Sequence, residues 1–253
     1  MKNLNKILLA ILFLLPFCLV SCTDEDNMEL NKGDQPLSLT VNEANVVLDI
    51  TAPETNALTF NWTSGSNQGT NAAITYTFEL APKGTAFANA KTSELTKGTT
   101  SFVYKTEDLN AILINDFGVD PSAEVELEAR VTATIHSQNT QTLVSEIVTI
   151  KVKSYKAISK MLYLIGDATP NGWAADNATK MNSITGAAGG FVWQGKLKAG
   201  KLKFITTLGE FTPSYNKGAD NTKLYYRETE NDSYDEQFEI PSTGVYKITL
   251  NII

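Results

Sequence analysis

Side chains that carry redox, nucleophilic or metal chemistry are scarce in this 253-residue chain. It holds one histidine, His136, and two cysteines, Cys18 and Cys22, both near the N-terminus. Disulfide scaffolds, zinc sites and cysteine–histidine catalysis therefore lack the residues that they need. His136 follows an apolar run and precedes a polar turn, so we expect a solvated residue rather than a ligand. The sequence predicts no metal and no cofactor.

Positively charged residues are also fewer than negatively charged ones. Lys and Arg number 21 against 28 Asp and Glu, which gives a net charge of −7 at pH 7. Nucleic-acid binding needs clustered Lys and Arg, and none occurs beyond the first few residues, so no nucleic-acid partner is expected. Glycoside hydrolysis needs two carboxylates that face one bond. No spacing pairs Asp167, Asp176, Glu210 and Asp220, and we do not expect an enzyme.

The first 21 residues are typical of a targeting segment. Lys2 and Lys6 precede an apolar run, Ile7–Val20, that is too short and wrongly flanked for a stable membrane span. The segment ends Leu-Val-Ser-Cys, which is similar to the bacterial lipobox. We therefore predict a lipoprotein signal peptide over residues 1–21 and lipidation of Cys22. The alternative is a plain secretory signal in which Cys22 is incidental.

An acidic tether follows over residues 22–36. Its Thr23–Asn27 cluster resembles the surface-export signal of Bacteroidetes lipoproteins, and the alternative is a tether that is merely solvated. Lipidation and export together predict a lipid-anchored protein of the outer membrane that faces the cell surface. Cys18 would be removed with the signal peptide, so the mature chain would hold no free thiol.

Residues 37–154 show short strand patterns and little helix. Leu58–Trp62 and Ile74–Leu80 alternate between apolar and polar residues, and Val125–Ile135 continues the set. This spacing predicts an immunoglobulin-like or fibronectin-like sandwich with Trp62 in its core. Thr106–Asn115 alone looks helical, with a capped start at Thr106.

Residues 161–253 form a second, aromatic-rich segment behind the short connection Ser154–Lys160. Two apolar runs, Met161–Ile165 and Phe191–Leu197, predict strands. The turn signal Thr-Pro-Asn-Gly between them delivers Trp173 into a loop. We predict a second small sandwich whose loops, notably Thr207–Thr222, can carry a site.

Three stretches of the second segment carry a family resemblance: LYLIGDATPNGW, FVWQGKLKAGKLKF and IPSTGVYKITLNI. They resemble the SusE/SusF group of outer-membrane starch-binding lipoproteins of Bacteroidetes. The resemblance implies an all-β chain of two tandem small sandwiches: an immunoglobulin-like domain, then a carbohydrate-binding domain. The chain departs from the group in having one binding-type domain. It also ends at Ile253 after what should be the penultimate strand, so we expect the second domain to be truncated.

The resemblance also implies a function. The protein is expected to be non-catalytic and to bind polysaccharide, with starch-type α-glucan as ligand, in support of glycan uptake. A porin-type importer and a companion glycan-binding lipoprotein are the implied partners. The alternative is a structural or adhesive surface lipoprotein that packs against a transporter complex without binding sugar.

Five residues are candidates for the sugar site. The resemblance makes Trp173 the stacking platform, with a core plug as the alternative, and makes Lys203 a donor to glucose hydroxyls, with a plain solvated lysine as the alternative. Phe211 and Tyr215 compete for a second platform, and Asn216 is a candidate amide partner. Trp193 alternates with apolar neighbours and is expected in the core.

Overall fold

The computed structural model describes residues 33–253. The predicted signal peptide, Cys22 and most of the acidic tether lie outside the described residues. Within residues 33–253, no helix combines the length and the apolarity that a transmembrane span requires.

The first part of the described chain is a sandwich of two sheets. Its strands are β1 (Leu39–Val41), β2 (Asn45–Val47), β3 (Asn56–Trp62), β4 (Ile74–Pro82), β5 (Lys91–Leu95), β6 (Ser101–Lys105), β7 (Glu124–Ile135), β8 (Gln141–Val144) and β9 (Val148–Lys153). One sheet has the order β1-β3-β6, and the other has the order β2-β9-β7-β4-β5 with β8 on β7.

Period-two alternation builds this sandwich. In β7, every second residue from Leu127 to Ile135 is fully buried, and the residues between them are partly exposed. These side chains share one apolar core with Phe78 of the neighbouring strand β4 and with Phe60 of β3 in the other sheet. Trp62 lies in the same core, as predicted, with its ring 6.3 Å from Phe78.

The helical segment covers the predicted residues but is irregular in its second half. Helix α1 spans Thr106–Ala111, and a π-helical turn spans Ile112–Asp116. The predicted cap at Thr106 is wrong, because Thr106 lies inside the helix and its Oγ1 donates to the carbonyl of Thr55 at 3.2 Å.

The connection between the two parts is hydrogen-bonded to both. The backbone of Tyr155 exchanges two hydrogen bonds with the Asn110 amide, at 2.9 and 3.1 Å. Lys156 pairs with Glu228 of the second part at 2.8 Å. The backbone contacts to Asn110 fix the connection more than the ion pair does, because exposed ion pairs contribute little.

The second part is again a pair of sheets. Its strands are β10 (Tyr163–Ile165), β11 (Thr179–Lys180), β12 (Asn182–Ser183), β13 (Gly190–Leu197), β14 (Gly200–Ile205), β15 (Ser214–Lys217), β16 (Leu224–Arg227), β17 (Phe238–Ile240) and β18 (Gly244–Asn251). One sheet has the order β11-β10-β14-β15-β16 with β17 on β14, and the other has the order β12-β13-β18.

A separate apolar core holds these sheets together. Leu164, Phe191, Leu197 and Phe204 are buried in it, and Trp193 packs against it half-buried, as predicted. The all-β fold class with sandwich architecture is therefore confirmed. The boundaries at 37–154 and 161–253 stay predictions, and one of the two large cores lies in each range.

One predicted loop contains a strand. Residues 207–222 were expected to form a single loop, but β15 lies inside them and pairs with both β14 and β16. Its sequence, Ser-Tyr-Asn-Lys, has no apolar alternation because the side chains on one of its faces are polar and buried. Because these residues form a strand and not a loop, the side chains of the candidate residues Tyr215 and Asn216 face opposite sides of the sheet.

Candidate functional site

The strands β14 and β15 separate the candidate residues onto two faces of one sheet. In register, Phe204 stands opposite Tyr215, and Ile205 stands opposite Ser214. Because successive side chains alternate between faces, Tyr215 shares the core face with Phe204. Lys203 and Asn216 therefore lie on the other face.

On that second face, buried polar side chains converge on one carboxylate. Asp235 Oδ1 accepts hydrogen bonds from Lys203 Nζ at 2.7 Å and from Asn216 Nδ2 at 2.6 Å, and it lies 3.5 Å from Arg227 Nη1. Ser214 Oγ donates to Asn216 Oδ1 at 2.8 Å. We call these five residues the Lys203 cluster.

The members of the Lys203 cluster differ sharply in exposure. The side chain of Lys203 is 2% exposed and that of Asp235 is 41% exposed, while Ser214 and Asn216 are fully buried. Buried polar groups require partners, and the cluster provides them internally. Asp235 is therefore the residue through which the cluster is mainly exposed to solvent.

The environment of Asp235 favours the ionised carboxylate. Burial raises its pKa, but the hydrogen bonds from Lys203 and Asn216, with the charges of Lys203 and Arg227, outweigh burial and lower the pKa below its usual value. Asp235 is therefore charged at neutral pH.

Two of the predicted aromatic residues are exposed, and one of them lies beside the cluster. Trp173 is 41% exposed and Phe211 is 39% exposed. The Phe211 ring centroid lies 5.8 Å from Lys203 Nζ, which is within the range of a cation–π contact. Phe211 is thus adjacent to the Lys203 cluster.

The turn that carries Trp173 is closely hydrogen-bonded. Gly166 N–H donates to the Gly172 carbonyl at 3.0 Å, and Thr169 Oγ1 donates to the Gly166 carbonyl at 2.8 Å. Gly172 has φ +62°, a conformation that glycine adopts without strain. Asn171 Nδ2 donates to the Asn177 carbonyl at 2.6 Å and ties the turn to the 3₁₀ turn Ala175–Asn177. Trp173 is therefore held outward by a rigid segment.

The Trp173 turn and the Phe211 loop approach each other closely. A Cβ atom added at Gly209 would lie 2.8 Å from Asp176 Oδ1. Gly209 precedes Phe211 by two residues, and Asp176 follows Trp173 by three. Gly209 and Asp176 are both exposed, so the loop that carries Phe211 and the segment that follows Trp173 adjoin on one surface.

Tyr215 is not part of that surface, and its prediction as a platform is wrong. The residue is 6% exposed and its ring lies 5.1 Å from the Tyr226 ring. Burial raises the pKa of its hydroxyl to about 12. The physical reason is strand alternation: Tyr215 and Asn216 are consecutive in β15 and cannot face the same side. Phe211 is the exposed aromatic of the predicted pair.

Lys203 and Asn216 lie at the candidate site, but both side chains are buried and hydrogen-bonded within the protein. The alternative of a solvated Lys203 is wrong, because the side chain is buried and ion-paired. Asn216 was predicted as an amide partner for sugar, but its amide is directed to Asp235 and Ser214 beneath the surface.

Sequence reasoning missed Asp235. It lies in the acidic segment Glu228–Glu239, where no single carboxylate stands out. A signal did exist: Lys203 is flanked by Leu202 and Phe204 in an apolar strand, and a lysine buried in such a strand needs an anion. The sequence alone does not say which anion the fold brings there. Among residues 33–253, no group of three His, Cys, Asp or Glu could hold a metal ion.

Comparisons with known proteins give one family. The family model described as SusE outer membrane protein matches residues 23–132. The predicted resemblance to SusE and the predicted outer-membrane localisation are thereby confirmed. The description of that family names no ligand, and the matched residues lie before the candidate site. The lipid on Cys22 and the surface orientation stay predictions.

The solved structures include a similar one, and no curated protein matches the chain. SusF from Bacteroides thetaiotaomicron aligns over 86% of this chain and 50% of its own, at 15% identity and a TM-score of 0.33. The chain thus spans about half the length of that protein, and a likeness of this size carries no argument about function.

Proposed function

The chain carries a SusE outer membrane protein family segment over residues 23–132, and from this premise we propose that it is a non-catalytic surface lipoprotein that binds polysaccharide. The proposed ligand is a starch-type α-glucan. The proposed site is the surface formed by Trp173, Phe211 and the exposed edge of the Lys203 cluster.

The exposed Phe211 ring beside the Lys203 cluster, with the segment after Trp173 adjoining the Phe211 loop, is the observation that supports this proposal. A pyranose ring presents an apolar C–H face and a rim of hydroxyl groups. Stacking one ring on Trp173 buries on the order of 70 Å² of apolar area, or ~2 kcal/mol. Phe211 offers a second stacking surface, and Asp235, in the cluster next to Phe211, offers hydrogen-bonding capacity.

The affinity of such a site is modest. Two stacking contacts and a few hydrogen bonds, less the cost of association, give a Kd of roughly μM to mM. Many copies of the protein on one cell surface can bind the same polymer. This multivalency compensates for the modest affinity of each site. A lipid anchor on Cys22 and a long acidic tether fit that arrangement, and we propose a porin-type importer and a companion glycan-binding lipoprotein as neighbours.

The carboxylates nearest to strand ends have structural roles that fit a non-catalytic protein. Asp167 Oδ1 accepts a hydrogen bond from the Lys201 N–H at 2.9 Å. Asp220 Oδ1 accepts hydrogen bonds from the Thr222 N–H at 2.7 Å and from its hydroxyl at 2.6 Å. Asp167 joins two segments that are 34 residues apart in the chain and Asp220 fixes a local turn, so we do not propose hydrolysis.

Affinity electrophoresis of the mature protein tests the function. Gels cast with starch, pullulan, dextran, xylan or mannan are compared with a gel without polysaccharide. We expect retardation by starch and pullulan, and its loss in Trp173→Ala. Leu208→Ala is the control, because Leu208 is exposed in the same loop as Phe211 and offers no ring. Absence of retardation by every polysaccharide would favour a structural or adhesive lipoprotein instead.

A further inference from the structure

We propose that Asp235, and not Lys203, is the residue of the Lys203 cluster that contacts the glycan. Its carboxylate accepts hydrogen bonds from sugar hydroxyl groups, and Lys203 is a positioning residue that holds this carboxylate. The proposal rests on the glycan-binding function proposed above and assigns its polar contact.

Exposure separates the two residues. The Lys203 side chain is almost wholly buried, and its Nζ lies 5.8 Å from the Phe211 ring centroid and 2.7 Å from Oδ1 of the half-exposed Asp235. A ligand that arrives from solvent therefore meets Asp235 before it can reach the ammonium. The half-exposed carboxylate is the accessible polar group.

The two carboxylate oxygens of Asp235 have different environments. Oδ1 accepts from Lys203 and Asn216 and lies near Arg227. Oδ2 accepts no side-chain or backbone hydrogen bond from residues 33–253. An ionised carboxylate acts only as an acceptor, with about two lone-pair sites on each oxygen. Sugar hydroxyls are donors, and hydrogen bonds to a charged acceptor are stronger than those between neutral groups.

The segment that carries Asp235 is fixed before any ligand arrives. Lys217 N–H donates to the Glu236 carbonyl at 3.0 Å, and Tyr234 Oη donates to the Lys217 carbonyl at 3.0 Å. Gln237 Nε2 donates to the Asp235 carbonyl at 2.6 Å. These bonds attach the segment to β15, so the carboxylate loses little conformational freedom on binding.

Isothermal titration of the mature protein with maltoheptaose is the first test. Asp235→Asn keeps the shape and an acceptor for Lys203, and Asp235→Ala removes the group. We expect the Kd to rise roughly ten- to hundredfold in Asp235→Ala and to rise clearly in Asp235→Asn. Glu236→Gln is the matched control, since it removes the same charge from the next residue, and its Kd should stay within about twofold. Thermal unfolding confirms that each variant is folded.

The pH dependence of binding distinguishes contact from positioning. The charged groups that face Asp235 are Lys203 on β14 and Arg227 on β16. In the wild type, maltoheptaose affinity should be constant down to acid pH and fall only as Asp235 is protonated. In Lys203→Met, Asp235 loses one neighbouring cation while burial still raises its pKa, so that pKa should be higher than in the wild type. The loss of maltoheptaose affinity should therefore begin at a higher pH. Lys203→Arg should restore the wild-type profile.

Three results would overturn the assignment. The first is an Asp235→Asn variant that binds maltoheptaose as tightly as the wild type. The second is a Lys203→Met variant that loses affinity equally at every pH, which is the behaviour of a direct contact. The third is a loss in Glu236→Gln equal to that in Asp235→Asn. A wild-type protein that is retarded by no polysaccharide and does not bind maltoheptaose refutes the glycan-binding function itself, which is a separate outcome.

Discussion

Lys203 Nζ lies 2.7 Å from Asp235 Oδ1, with the lysine side chain buried and the aspartate half-exposed. Breaking one partner of a buried ion pair is costly because the other charge is left without compensation. The ion pair therefore contributes both to the stability of the second sandwich and to the position of the carboxylate at the candidate site. Phe211 lies beside the same pair, with its ring centroid 5.8 Å from Lys203 Nζ.

Removal of the Trp173 ring should weaken glycan binding without unfolding the protein. The side chain is exposed, so Trp173→Ala removes little core packing. The lost stacking of ~2 kcal/mol corresponds to a Kd about thirtyfold higher, measured by calorimetry with maltoheptaose. Trp173→Phe keeps a flat ring and should recover part of the affinity. Full affinity in Trp173→Ala would exclude the stacking role.

Phe211 should act as the second platform. Phe211→Ala removes the exposed ring and should raise the Kd about tenfold, measured in the same titration. Leu208→Ala removes a similarly exposed apolar side chain from the same loop and should leave the Kd unchanged. Equal losses in both variants would mean that the loop contributes only general apolar surface.

Tyr215 should matter for stability and not for binding. Its ring is buried in the second core, so Tyr215→Ala should lower the free energy of unfolding by about 3–5 kcal/mol, as large-to-small core substitutions do. Tyr215→Phe keeps the ring and should unfold at nearly the wild-type urea concentration. Both variants, where folded, should bind maltoheptaose as the wild type does. A selective loss of binding in Tyr215→Phe would show that the hydroxyl reaches the ligand.

The turn before Trp173 should depend on glycine at position 166. Gly166 has φ +140°, and a Cβ atom there would clash with the Lys201 carbonyl oxygen and lie 2.6 Å from the Leu202 Cα. Gly166→Ala should therefore force β10 away from β14, lower the urea midpoint and weaken glycan binding together. A variant with wild-type stability and affinity would show that the close approach is absent in solution.

Acid should destabilise the second sandwich partly through Asp235. Its folded-state pKa lies below the unfolded value of about 3.9. The stabilisation from its ionised form is thus complete above that value and is lost as the pH falls through the folded pKa. Urea midpoints at pH 7 and pH 3 should differ less in Asp235→Asn than in the wild type. An unchanged difference would show that the pair does not contribute to acid unfolding.

Periodicity and turn chemistry predicted much of the fold. The alternation in β7 and the Thr-Pro-Asn-Gly signal before Trp173 are local features, and both appear in the structure as expected. The sequence reasoning failed at β15, where buried polar residues replace the apolar alternation that identifies a strand. That error also made Tyr215 look available to a ligand.

Asp235 was beyond sequence reasoning for a different reason. Its partner Lys203 is 32 residues away in the chain, and tertiary contacts bring the two together, among them the pairing of β14 with β17, the strand that follows Asp235. A buried lysine predicts that some anion exists, but the identity of that anion depends on tertiary contacts. Trp173 was found because its exposure follows from a local turn.

A crystal structure of the mature protein with bound maltoheptaose tests the site most directly. We predict a glucose ring stacked on Trp173, a neighbouring ring against Phe211, and a sugar hydroxyl within hydrogen-bond distance of Asp235 Oδ2. A glucan bound elsewhere, such as in the cavity of about 470 Å³ lined by Asn110, Tyr155 and Phe191, with Trp173 and Phe211 free of sugar, would contradict the account.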